Sequence, residues 1–218
     1  MKLLLKFESR LPTGPLIKNM ENPYSTENKY TLDLLSHYVY IIHPNRVRIA
    51  TDSVEMAKSI ARRLFCESYE LLVENSQIQE AIFEGLGIRT LVRRSNSTPA
   101  DAAVFPFSFP DRLQPEKEPA IIVACLNAFS YKNLIYPGIV KNTVYTTLSK
   151  LTADYTVSSI SSLYSPQFIF WWTLAKLVEN LNSACYFRLE DLAMQRIIHF
   201  GPLWRFSYIV VFTGQIAS

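Results

Sequence analysis

The most regular alternation of apolar and polar positions in the chain runs from Arg46 to Phe65. Val47 and Ile49 alternate with Arg46 and Arg48, the period-two pattern of a strand with its basic side toward solvent. Asp52 then stands where a helix N-cap belongs, with Glu55 three residues on, a capping-box spacing. Val54, Ala57, Ile60, Ala61, Leu64 and Phe65 follow at helical spacing and define one buried face. Strand, cap and amphipathic helix together predict a βα unit. Ser76 and Gln79 repeat the capping pattern before Ile78, Ala81 and Ile82, so a short second helix is expected, stopped by Gly85 and Gly87. Residues 88–94 then read as another strand.

Elsewhere the pattern is less regular. Lys2–Ser9 reads as a short strand, and Tyr30–His43 as a helix or turn feeding a strand that Pro44 closes. Ala120–Leu126 has the composition of a buried strand, and Val140, Val144, Leu148 and Leu151 form one helical stripe. Ser165-Pro166 opens a helix expected to reach about Asn182. Phe168, Ile169, Phe170, Trp171, Trp172, Leu174, Leu177 and Val178 leave that helix only a narrow polar strip, which predicts burial on most sides. Residues 186–198 read as an amphipathic piece. Trp204, Phe206, Tyr208, Val210 and Phe212 alternate with polar neighbours, a strand with one aromatic face. Strands and helices mix without regular βαβ alternation. The expected class is α+β, a mixed or antiparallel sheet with several packed helices, in a single compact domain over residues 1–218. The one break is Ser95–Pro119, with five prolines. It is the place for any subdivision, and its aromatic run marks Phe105, Phe107 and Phe109 as candidate interaction residues.

Composition narrows the chemistry. Six glycines in 218 residues leave little material for loops that cradle phosphates, and neither a Walker A nor a G-x-G-x-x-G sequence occurs. The cysteines Cys66, Cys125 and Cys185 are odd in number and lack C-x-x-C spacing, which excludes a zinc site or disulfide framework and fits a reducing, cytoplasmic setting. His37, His43 and His199 fall in no metal-ligand motif, so neither metal nor cofactor is expected.

The net charge of +3 is mild. Its notable feature is a set of six arginines, Arg46, Arg48, Arg62, Arg63, Arg93 and Arg94, on the strand, helix end and strand just described. If these elements adjoin, the arginines form one anion-binding face for RNA or an anionic membrane surface; the competing reading pairs them with interleaved acids such as Glu55, Glu67 and Glu70. With no active-site motif, the expectation is a non-enzymatic, matrix-like or scaffold protein, or a nucleoprotein subunit, that forms homo-oligomers and contacts an acidic partner. The alternative is a metal-independent ribonuclease using His37 or His43.

Overall fold

The structure is a computed structural model that describes residues 26–64, 69–87, 89, 91–95, 99–107, 115–130, 133 and 144–217. The strand expected at Lys2–Ser9, together with Cys66 and Phe109, lies outside the described residues. The chain divides into two compact units, Met1–Pro106 and Phe107–Ser218, with the boundary inside the proline-rich stretch.

In the first unit the helix α1 (Thr26–Ile42) precedes β1 (Arg46–Ile49), α2 (Val54–Leu64), β2 (Glu70–Val73), α3 (Ser76–Leu86), β3 (Val92–Arg94) and β4 (Ala102–Phe105). The segment read as a helix feeding a strand is helical through Ile42. Its apolar residues recur at helical spacing, burying Leu32, Leu35 and Val39 completely. The helix stops where the residue before Pro44 is barred from helical geometry, with His43 turning to φ 49°. Ser53 caps α2 in place of Asp52: its hydroxyl accepts the Met56 N–H at 3.3 Å and its carbonyl accepts that of Ala57. Asn75 likewise caps α3, accepting the Ile78 N–H at 2.8 Å, and Gly87 ends it in the left-handed region at φ 71°.

β2 is the element between α2 and α3 that the sequence pattern misses. Once it is present, strand and helix alternate regularly from β1 to β3. β2 pairs in parallel with both β1 and β3, and β1 pairs in parallel with β4, so the strand order is β3-β2-β1-β4. Val47 and Ile49 lie in register with Leu71 and Val73, and all four are buried. α2 packs on α1 and α3, and α3 on β2 and β3.

The second unit holds β5 (Ala120–Leu126), α4 (Val144–Leu151), β6 (Tyr155–Leu163), α5 (Pro166–Val178), α6 (Ser183–Met194), β7 (Ile198–His199), a 3₁₀ turn (Pro202–Phe206) and β8 (Ile209–Ile216). Its order is β5-β8-β6-β7, with every pair antiparallel. β8 is flanked on both sides and buries Ile209 to Phe212. The expected strand at residues 204–212 is divided, because Trp204 and Phe206 belong to the 3₁₀ turn and the strand begins at Ile209. Parallel and antiparallel pairing, with six α-helices among the described residues, make up the mixed-sheet, helix-packed class that the pattern predicts. Among these residues no helix is long and apolar enough to cross a membrane.

Candidate functional site

In the first unit the chain order reverses at β1: β2 and β3 lie on one side of it and β4 on the other. Loops that leave the carboxyl ends of parallel strands in opposite directions open a crevice, and ligands of open α/β sheets bind there. Ala50–Ser53 leave β1, Glu74 and Asn75 leave β2, and Phe105 ends β4. The Ala50 N–H donates to the Val104 carbonyl at 3.0 Å and ties the end of β1 to β4. The Thr51 hydroxyl accepts the Ser53 N–H at 3.2 Å, which fixes the turn into α2. No residue of that turn is glycine, so every position carries a Cβ, and Asp52 is exposed on it.

Arg48, two residues before the turn, is 2% exposed. Its Nη1 donates to Glu74 Oε1 at 3.1 Å, and its guanidinium lies 5.3 Å from the Phe105 ring centroid. The Glu74 side chain is 38% exposed. The arginine is therefore inside and its carboxylate at the rim.

This placement corrects the exposed basic strand. Val47 and Ile49 are buried on one face of β1, and Arg48 is buried on the other. Glu70, in register with Arg46, accepts from Arg46 Nε at 2.9 Å and from Arg93 Nε at 2.8 Å. Arg63 Nε donates to Asp33 at 2.8 Å. Arg62 and Arg94 are exposed. Four of the six arginines are thus held by acids, the competing reading of that charge pattern. The aromatic run is corrected too: Phe105 is 2% exposed because Ala102–Phe105 is a strand of the sheet rather than a loop, and Phe107, in the turn after it, is 8% exposed. His37 and His43 are exposed on and just after α1, with the His43 ring 5.0 Å from that of Tyr40. Among the described residues no cluster of His, Cys, Asp and Glu could hold a metal.

No family model matches the chain, and no curated protein matches it. Solved structures do. The [4+2]-cyclase SpnF is similar at 12% identity and a TM-score of 0.51, over 86% of this chain and 80% of that one. A putative O-methyltransferase from Klebsiella pneumoniae aligns at 11% identity and a TM-score of 0.46, over 98% and 95% of the two chains. The O-methyltransferase TomG from Streptomyces achromogenes, solved in complex with SAM, aligns at 14% identity and 0.44, again over 98% and 95%. The likeness to SpnF shows a fold that an enzyme uses. The finding overturns the expectation of a non-enzymatic matrix-like or scaffold protein, and the ribonuclease alternative built on His37 or His43 with it. Sequence reasoning also missed Glu74. The available signal was an acidic residue closing a short apolar run, which becomes informative only when Glu70–Val73 is read as a strand.

Proposed function

We propose that the chain is an enzyme that binds S-adenosylmethionine in the crevice at the ends of β1, β2 and β4 and acts on a small organic molecule. One observation carries the reading: at the reversal of strand order, a carboxylate, Glu74, closes β2 opposite a first turn without glycine. An acid at the end of the second strand is suited to accept the hydroxyls of a ribose. A pyrophosphate needs close backbone approach, which glycine provides and Cβ-bearing residues restrict. Asp52 adds a negative charge where a phosphate would sit, and like charges repel. A nucleoside that lacks phosphate and carries positive charge meets neither obstacle.

S-adenosylmethionine is such a molecule, and the residues fit it: Glu74 would hold the ribose and Asp52 would offset the cationic end. When bound, the sulfonium supplies an activated methyl group. The chain's part is to bind and orient the nucleoside and to exclude phosphate-bearing competitors.

Calorimetric titration tests the reading. S-adenosylmethionine and S-adenosylhomocysteine should bind, ATP and NAD should not, and Glu74→Gln should weaken binding about tenfold or more, the scale of a hydrogen bond to a charged acceptor. Binding of NAD or ATP in preference to the adenosyl ligands would overturn it.

A further inference from the structure

We propose that Arg48 is a positioning residue that makes the crevice selective for an intact ribose, by holding the Glu74 carboxylate in one ribose-accepting pose; this rests on the adenosyl-ligand reading above. An isolated exposed glutamate at the end of a four-residue strand has several rotamers, and its acceptor oxygens would have to be ordered each time a ligand arrives. Here the cost is met in advance. The Arg48 side chain is 3% exposed, and its Nη1 reaches Glu74 Oε1 at 3.1 Å, while the Glu74 side chain stays 38% exposed at the rim. Glu74 therefore presents its carboxylate at the rim, where hydroxyl donors of a ligand can reach it. The Phe105 ring lies against the guanidinium, its centroid 5.3 Å from the guanidinium carbon, and limits the room in which the fork can swing.

The strands supply the rigidity. Arg48 is in register with Leu72 on β2 and Ala103 on β4, so Glu74 and Phe105, each two residues further on, project from the same sheet face. The alternation that aims one aims all three. A lysine at this position would carry the charge but lacks the planar fork, so it would neither stack on Phe105 nor fix the carboxylate's orientation equally well.

The test compares S-adenosylhomocysteine with its 2′-deoxy analogue by calorimetry, in the full chain and in Arg48→Met, Arg48→Lys and Phe105→Leu. The wild-type chain should bind the ribose ligand about tenfold or more tightly than the deoxy analogue, since a hydrogen bond to a charged acceptor is lost. Arg48→Met should reduce that ratio toward unity, with Arg48→Lys and Phe105→Leu intermediate. A merely structural defect would weaken both ligands together and leave the ratio in place. If Arg48→Met does not fold, Arg48→Lys and Phe105→Leu decide, because the proposal requires the ratio to fall in both. An unchanged ratio in variants that bind overturns the role of Arg48 alone. Failure of the wild-type chain to bind either ligand overturns the adenosyl reading and this inference with it.

Discussion

Cys125 lies inside β5, 2% exposed, where burial pushes its thiol from the ordinary 9.0 up to about 12 against the opposing pull of a hydrogen bond with Thr147. A thiol that ionises only at about pH 12 is no nucleophile at neutral pH. The sign of its effect on stability follows. Between about pH 9 and about pH 12 the unfolded chain loses the proton that the folded chain keeps, so the unfolded state binds fewer protons and stability falls as pH rises. The limiting slope is about 1.4 kcal/mol per pH unit for one group. Urea midpoints should therefore fall between pH 9 and pH 11 more steeply for the wild-type chain than for Cys125→Ala. Equal pH slopes would mean that the thiol titrates normally. Burial of Cys125 was legible in the sequence because residues 120–126 are apolar without interruption. The role of Glu74 was not. A glutamate after Val73 gives no local sign that an arginine 26 positions earlier reaches it, since that contact depends on strand register.

At the scale of elements, α5 shows what periodicity leaves open. Its run of large apolar residues predicts burial on most sides, yet only Phe168 and Ala175 are buried, while Phe170 is 60% and Leu177 49% exposed. Five consecutive apolar residues point in all directions around a helix, so the sequence says that the helix is apolar but not which side is covered. Phe168 packs against the Tyr164 ring at 5.2 Å and stacks on Trp172 at 6.0 Å. The partner of α5 is α6. Lys176 joins them, with Nζ 4.9 Å from the Trp172 ring and 4.8 Å from the Tyr186 ring, donating to the Tyr186 hydroxyl at 3.1 Å and to Glu179 at 3.3 Å. Burial works to lower its pKa, but the hydrogen bonds to Tyr186 and Glu179 outweigh it and the net direction is up. Truncation should separate the faces. Phe168→Ala is expected to cost about 3–5 kcal/mol in urea unfolding and Phe170→Ala within about 0.5 kcal/mol. Comparable losses would show that both faces are packed. β2 fell outside the sequence reading for a related reason. Three apolar residues between Glu70 and Glu74 carry too few periods to identify a strand, and parallel pairing on both sides is what defines this one.

For the whole molecule, the question raised by the charge of +3 is where the positive charges are held, because a count of arginines does not distinguish an open basic face from a set of ion pairs. In the first unit Arg46 and Arg93 share Glu70, Arg48 is buried against Glu74, and Arg63 holds Asp33. Three of these pairs form across β1, β2 and β3 and the fourth between α1 and α2, so neither their membership nor their burial follows from spacing along the chain, whereas the mixed-sheet class did follow from the local patterns. Paired arginines project a weaker field than the same number of unpaired ones. Charge reversal should consequently act on folding more than on polyanion affinity, and unequally. Arg48→Glu would bury a carboxylate beside Glu74 and is expected to cost about 2–4 kcal/mol, discounted from the fully buried case because Glu74 reaches solvent. Arg46 is 41% exposed, so Arg46→Glu should cost about 1 kcal/mol or less. Urea unfolding of the two single variants measures the difference, and RNA binding across a salt series measures the other side. If both variants keep their midpoints and both lose salt-dependent RNA affinity, the arginines form an open basic face. A large loss of stability confined to Arg48→Glu, with RNA affinity unchanged in Arg46→Glu, is the outcome that a buried Arg48–Glu74 pair requires.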